Sequence, residues 1–483
     1  MASRRLVAGV DCSTQSTKVL LVDPDTGDIV ATGHAPNPVS GEGGARETDP
    51  RAWWTALRSA LAETGRAQDV GAISVGGQQH GLVVLDGAGE PLRDAILWND
   101  TRSAPDAERL TQLLGAETWA ERTGLRPIAS FTVSKWAWLR RTEPATAAAA
   151  KAIRLPHDYL TDRLTGRGVT DRGDASGTGW WSPGDERYAE DILALDDVAI
   201  DPRLLPAVMR PTDHAGEVTA RAAADLGLPA GIAVGPGTGD NMAAALGLDL
   251  AIGQPALSLG TSGTVFAVAT KRSADPTGIV AGFADAAGRF LPLACTLNCT
   301  QAIDRVAAWL GLDRDDVADS GSVVVLPYLD GERTPDLPLA AGTITGLRHA
   351  TTPNQILMAA YEGAVASLLE ALAAIGDAAG GMDAPAPIIL VGGGARGRTW
   401  RDVVRRLSGR PVRIPHAEEL VALGAAVQAT AIWRNETPAT VARRWRTDAG
   451  TLMDALPRDD ERLARIKAIR DVVVREQGLS GSA

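Results

Sequence analysis

A chain of 483 residues is too long for one hydrophobic core, since cores stop growing near roughly 250 to 300 residues, so two large domains are expected. Its 45% hydrophobic and 22% charged residues exclude a disordered or fibrous chain, and a net charge of −11 with no segment of clustered Lys and Arg argues against nucleic acid as a partner. No run approaches the roughly 18 unbroken apolar residues of a membrane span, and the opening MASRRLVAGVD turns charged at Asp11 before a signal core is complete, which gives the expectation of a cytoplasmic protein with no membrane partner.

In chain order, the first informative stretch is VAGVDCSTQSTKVLLVD (7–23). Two apolar runs flank a cluster of hydroxyls, an amide and a thiol that a bare hairpin does not need, since two turn residues such as Asn-Gly suffice for that. RAWWTALRSALAET (51–64) reads as a helix, AISVGG (72–77) and LVVLD (82–86) as strands, and IAVGPG (232–237) as a strand before an Ala-rich helix. Helices are expected at 301–311 and 355–375, and IILVGGGARGRTWRDVVRRLSG (388–409) reads as strand, glycine turn and helix, with Trp400, Val403, Val404 and Leu407 on one face. The stretch 441–483 is charged and reads as helical, with Leu463, Ile466, Ile469 and Val473 lining a face that would pack on the second domain. The alternation of strands and helices indicates α/β architecture. The cysteines Cys12, Cys295 and Cys299 predict reduced thiols, being odd in number and without a paired metal spacing.

The opening pattern recurs. LSLGTSGTVFAVAT (257–270) again places a polar turn between apolar runs, and aligning the two sets Ser13 on Gly260, Thr14 on Thr261 and Ser16 on Gly263 at a constant offset of 247. The chain therefore reads as two related halves. Backbone N–H groups in a tight turn of small residues form an anion-binding nest, so two such hairpins facing across a cleft can grip a polyphosphate from both sides. The Walker string GK[ST] is absent from the sequence, so this is a different phosphate device.

These residues resemble the FGGY carbohydrate kinases over about residues 6 to 435. GTITGLRHATTPNQILMAAYE (342–362) fits a family signature at every defined position, and SFTVSKWAWLRRT (130–142) fits a second one except at Thr142. GQQHG (77–81), LWNDTR (97–102), GTGDN (237–241), SLGTSG (258–263) and LPYLDGERTP (326–335) look like the branch acting on a ketopentose more than like glycerol, rhamnulose or ribulose kinases. The resemblance implies two RNase-H-like domains of the actin-like ATPase type, with ATP, Mg²⁺ and sugar in an interdomain cleft. It also implies γ-phosphoryl transfer to a sugar hydroxyl, and a homodimer is reasonable by the same resemblance. On this basis the chain divides into 1–247, 248–440 and a helical extension 441–483. Other readings are a kinase for a different pentulose, hexulose or gluconate, and a non-catalytic actin-fold regulator. Two departures from the family stand out: Ser13 replaces a glycine of the first phosphate turn, and Gln79 replaces a methionine before the histidine.

Asp240, at a strand end before a helix, suits either a helix N-cap or the base that takes the sugar hydroxyl's proton, and the resemblance places the catalytic aspartate there. Asp11 is either a turn-former or the acid that holds Mg²⁺, directly or through water. Lys18, one of 5 lysines against 43 arginines, reads as a phosphate contact or a solvent-facing strand residue. Gln79 and His80 match the family's sugar-contact pair, with Asn241 beside Asp240. Trp98 and Asn99 either wall the sugar pocket or belong to the core. Ser13, Thr14, Ser16, Gly260, Thr261 and Gly263 are the phosphate-turn candidates. Gly392, Gly393 and Gly394 resemble the adenosine-binding turn, and Glu332 with Arg333 reads as a structural ion pair.

Overall fold

The computed structural model describes residues 5–380 and 386–476. The chain builds two seven-stranded sheets. In the first, the order is Gly216–Glu217, Ala233–Val234, Val70–Gly77, Leu6–Cys12, Ser16–Val22, Ile29–Pro36, with Thr238–Gly239 pairing at the end of Val70–Gly77. In the second, it is Ala281–Ala284, Phe290–Thr296, Gly263–Ala267, Pro255–Leu259, Ile388–Val391, Val412–Pro415, Gly450–Met453. Each sheet is built round an antiparallel hairpin whose first strand also pairs in parallel with a much later strand. This is the RNase-H-like plan twice over, and the pair gives the actin-like arrangement.

The offset of 247 is visible in the coordinates. The first strands end at Cys12 and Leu259, and the second strands begin at Ser16 and Gly263. The turns differ by one residue, because the first ladder closes at Cys12–Thr17 and the second at Leu259–Gly263.

Strand Leu6–Cys12 is buried throughout, as a central strand covered on both faces must be. Leu6, Ala8 and Val10 pack with Trp53, Leu57 and Leu61 of helix Pro50–Glu63 on one face. On the other face Val7 packs with Leu423, Ala426 and Val427 of helix Leu420–Arg434, which reaches the first sheet from the far end of the chain. Backbones touch there. A Cβ on Gly9 would lie 1.9 Å from the Ala422 carbonyl oxygen, one on Gly424 1.9 Å from that of Ala243, and one on Gly247 2.2 Å from that of Leu420. Helices Leu420–Arg434 and Asp240–Gly247 thus cross in direct contact.

The second sheet packs Leu257, Leu259 and Val265 against Leu357, Tyr361 and Leu368 of helix Pro353–Ala379. Among the described residues that helix alone is long and apolar enough to cross a membrane, yet 67% of its apolar window is buried in this core. The expected face of Trp400, Val403, Val404 and Leu407 is buried against the same sheet.

Of the stretch expected to be all helical, 477–483 lie outside the described residues, and 441–476 depart from the expectation. Helix Pro438–Trp445 sets Trp445 on the first sheet, and strand Gly450–Met453 then closes the edge of the second. Only helix Asp460–Glu476 lies as expected, with Ile466 buried against Val324, Leu326 and Tyr328, and Leu463 packed on the second core. A strand of four residues is decided by the open edge it finds, not by its own periodicity.

Gly424→Val is expected to destabilise the protein by about 1–3 kcal/mol or more, because the added methyls meet backbone that cannot swing aside. Urea unfolding reads this as a lowered midpoint.

Candidate active site

The first of the two candidate phosphate turns is held from below. Asn37 Nδ2 donates to the Ser13 carbonyl at 2.7 Å, and the Asn37 amide donates to the Gln15 carbonyl at 2.8 Å. Thr14 Oγ1 donates to Gln78 Oε1 at 3.1 Å and accepts from Trp98 Nε1 at 3.0 Å. Trp98 is therefore no core residue; it is 42% exposed and lies against the turn. Ser16 opens the second strand.

The second turn converges with the glycine triplet. Gly260's carbonyl accepts from the Thr300 amide at 3.1 Å and its hydroxyl at 2.8 Å. A Cβ on Gly392 would sit 2.9 Å from the Leu259 carbonyl oxygen, and one on Gly394 2.7 Å from Leu259 Cβ, while Gly393 faces open space. Gly392 also takes φ +83°, so glycine is required there for conformation as well as for space. Thr261 is exposed on this turn. Gly263 is buried, and a Cβ there would meet Thr296 Oγ1 at 2.4 Å and Leu368 Cδ2 at 2.6 Å, so its missing side chain serves packing.

Two acids lie close enough for the charge of one to act on the other. Burial pushes Asp11 up to about 6, with the Ser13 hydroxyl, which donates to its Oδ1 at 2.6 Å, pulling back. Burial and then the negative charge of Asp11 push Asp240 up to about 7. Asp240 opens its helix, whose N-cap position is Gly239, and does not cap it. One oxygen, Oδ1, accepts from the Asn241 amide at 2.7 Å and from Asn241 Nδ2 at 2.8 Å; among the described residues Oδ2 has no hydrogen-bond partner. Asn241 Nδ2 also donates to Gln79 Oε1 at 2.9 Å, which ties the acid to the glutamine. The glycines before Asp240 are needed: a Cβ on Gly239 would lie 2.6 Å from Gln79 Cγ, and one on Gly237, at φ +77°, 2.6 Å from His157 Nδ1.

His80 takes φ +64°, a left-handed conformation uncommon for a residue with a side chain. Its ring meets Phe131 edge-on at 5.1 Å and Phe283, from the second half, at 5.4 Å. Burial holds its pKa well below the usual imidazole range, with the charges of Lys135 and Arg333 adding to the effect. Gly177 makes room for the ring, since a Cβ there would be 2.3 Å from His80 Cε1. The atoms His80 Nδ1, Gln79 Nε2, Gln78 Nε2 and Asn99 Oδ1 are buried without a hydrogen-bond partner. Interiors rarely leave such atoms unpaired, so a polar ligand fits here.

Lys18 is bound to Glu419 at 2.6 Å, which makes an ion pair between the first hairpin and the approach to helix Leu420–Arg434. One expectation needs correction. Glu332 and Arg333 form no ion pair. The buried Glu332 carboxylate accepts from the Leu297, Asn298 and Arg333 amides and from Asn298 Nδ2, while the Arg333 side chain lines a cavity of about 590 Å³ between the halves with Ser130, Arg126 and Thr277. These charge-assisted hydrogen bonds satisfy the carboxylate without the Arg333 guanidinium.

Sequence reasoning passed over Asn37, Gln78, Glu419 and Gln428. Gln428 clamps the base of the Asp240 turn: its Oε1 accepts from the Gly237 amide at 2.9 Å and its Nε2 donates to the Gly237 carbonyl at 3.1 Å. Partners this distant along the chain leave no local spacing to find. The signature residue Glu362, by contrast, is structural, paired in the second core with Arg406 and Arg462.

The model of the FGGY family of carbohydrate kinases matches with its N-terminal domain over residues 6–247 and its C-terminal domain over 256–433. The chain is 60% identical to the xylulose kinase of Streptomyces coelicolor over 466 residues, 96% of this chain and 95% of that protein. It is 59% identical to that of Streptomyces rubiginosus with the same coverage. The crystal structure of xylulose kinase from Bifidobacterium adolescentis is similar with a TM-score of 0.86 and 36% identity, covering 97% of this chain and 99% of that one.

The buried, uncharged state of His80 is directly measurable. In histidine-labelled protein its ring signals are expected to stay constant from about pH 8 down to pH 5, the span in which an unperturbed imidazole titrates. A midpoint inside that span contradicts the account of the ring's surroundings.

Proposed function

The chain belongs to the FGGY family of carbohydrate kinases, and from that premise we propose that it transfers the γ-phosphoryl group of ATP to the terminal C5 hydroxyl of D-xylulose. The product is D-xylulose 5-phosphate, formed by direct in-line displacement without a phospho-enzyme. The observation that carries the reading is the pairing of a half-buried acid, Asp240, whose second oxygen is unengaged, with the unpartnered polar atoms of Gln79, His80 and Asn99. A polyhydroxylated ketose satisfies such atoms with its own hydroxyls, and Phe131 and Phe283 beside His80 give the carbon chain an apolar wall. The substrate class agrees with the relatives just described.

In the proposed mechanism Gln79, His80, Trp98, Asn99 and Asn241 position the sugar. Asp240, ionised, accepts the proton of the reacting hydroxyl. The turns at Ser13, Thr14 and Ser16 and at Gly260 and Thr261 hold the phosphates, with the nucleoside against Gly392, Gly393 and Gly394. Asp11 is a buried carboxylate above its usual range that itself disturbs Asp240, and such an oxygen donor fits a hard divalent cation. Mg²⁺ would be held there by Asp11, directly or through water, and when bound would neutralise phosphate charge. Closing of the halves would keep water from the phosphoryl group. Domain limits at 1–247, 248–440 and 441–483, and a homodimer in the cytoplasm acting without nucleic acid or membrane, complete the proposal.

A coupled assay for ADP across ketoses, pentitols and aldonates tests it. D-xylulose is expected to give the highest kcat/KM, with only weak ATPase activity when sugar is absent; a different sugar at the head of that ranking replaces the substrate, and no sugar-dependent ADP removes the kinase reading. Asp240→Ala is expected to abolish transfer in a folded protein. His80→Ala should raise the sugar KM about 5- to 150-fold, the equivalent of about 1–3 kcal/mol for a buried hydrogen bond left unmade. Because the base works only when ionised and Asp240 sits at about 7, kcat/KM for sugar should fall as pH drops below that value and level off above it.

A further inference from the structure

Beneath the turn that carries Asp240 lies a group of four buried titratable side chains that none of these steps uses. His157 Nε2 is 3.2 Å from Asp174 Oδ2, 3.3 Å from Asp158 Oδ1 and 3.7 Å from Asp171 Oδ1, and all four side chains are sealed from solvent. Three buried carboxyl groups surround this imidazole: burial pushes Asp158 up to about 7 and Asp171 upward, and the charge of His157 pulls both back toward the ionised form. Burial by itself would push His157 down, but Asp158, Asp174 and Asp171 together lift it to about 9, so it is an imidazolium at neutral pH.

The group is wired to the turn above it. The other edge of the His157 ring lies under Gly237, whose added Cβ would be 2.6 Å from Nδ1. Asp171 Oδ2 accepts from the Thr238 hydroxyl at 2.7 Å and from the Gly173 amide at 2.8 Å, and its Oδ1 accepts from the Asp174 amide at 2.9 Å. Thr238 stands two residues before Asp240 in a strand of only two residues, so little else fixes the turn on that side. The same group reaches the sugar pair, because the Asp174 carbonyl accepts from the Gly177 amide at 2.9 Å and Gly177 abuts His80.

We propose that His157 and Asp171, acting through the Thr238 hydroxyl, are positioning residues that fix the height and direction of the 237–240 turn so that Asp240 meets the reacting oxygen. The proposal rests on the reading of Asp240 as the base. Asp171 is held by two main-chain donors, with the charged His157 ring 3.7 Å from its Oδ1 acting on it through space and not by a hydrogen bond, and its Oδ2 also takes the Thr238 hydroxyl; the turn is thereby held from below, as Gln428 holds it from the side. A shift of about 1 Å in a reacting group costs about a hundredfold in rate, so one hydrogen bond at this place acts on turnover more than on binding.

The test measures kcat, sugar KM and thermal midpoint for Thr238→Val, Thr238→Ser, His157→Gln, the double variant Thr238→Val with His157→Gln, and Asp240→Asn in the full-length protein. Thr238→Val is expected to lower kcat about tenfold or more with sugar KM within about twofold, Thr238→Ser to restore it, and the double variant to lose no more than the worse single one. An unchanged kcat in Thr238→Val, or an equal loss in Thr238→Ser, overturns the proposal. Should His157→Gln fail to fold, the valine and serine variants decide alone. Asp240→Asn separates the two readings. If it is active, the base assignment falls and this proposal with it; if it is inactive beside a Thr238→Val enzyme of wild-type kcat, only this proposal falls.

Discussion

The structure depends on one close contact, where strand Leu6–Cys12, helix Asp240–Gly247 and helix Leu420–Arg434 meet backbone to backbone at Gly9, Gly247 and Gly424. Packed interiors leave no room for even one methyl at such a point, and dispersion between main chains at this range accumulates over many atoms. The contact brings a helix from the end of the chain onto the sheet of its beginning. With it come Gln428, which bonds Ser74 as well as Gly237, and the neighbouring Glu419, which pairs with Lys18. The two halves therefore share a core at the place where the Asp240 turn and the Ser13–Ser16 turn are held.

Around this fixed centre, polar groups fall into two populations. Glu332, Asp171, Glu362 and Lys135 have their charge answered by main-chain donors or carbonyls or by a neighbouring ion, and they hold loops. Gln79, His80, Asn99 and Asp240 keep at least one polar atom open although the chain around them is tightly packed. Leaving a buried polar atom unmet costs free energy in the free protein, on the order of 1–3 kcal/mol each. That cost is recovered only when a ligand supplies the missing partners, which makes the free site less stable and more selective at once.

The sequence carried the duplication plainly, because the hydroxyl-rich turn and its offset of 247 are local patterns repeated twice. It also marked the turn before Asp240, through the glycines at 235, 237 and 239 that the fold requires for Ser74, His157 and Gln79 to approach. Alternation and helical periodicity placed the strands near 72–77 and 388–391 and the helices near 51–64 and 301–311 within a few residues. What stayed hidden depends on distance along the chain. Glu419 lies 401 residues from Lys18 and Gln428 191 from Gly237. His157, Asp171 and Asp174 sit in an unremarkable helix and turn, and only the fold gathers them. The strand Gly450–Met453 was missed for the same reason, since its partner is the edge at Val412–Pro415.

Ser13, at a position where the resemblance implies glycine, has a structural account in the folded chain. Glycine in a phosphate turn serves a left-handed backbone or a close ligand approach, yet Ser13 takes no left-handed conformation, so a β-carbon costs no strain here. Its hydroxyl instead donates to Asp11 at 2.6 Å, and a donor on a carboxylate favours the ionised form. Without it burial would hold Asp11 further above its usual range, since Ser13 is the strongest influence pulling it down. The substitution thus exchanges an unfilled space in the turn for a pre-charged acid. In a site where the negative charge of Asp11 also raises Asp240, that one hydroxyl bears on both carboxylates.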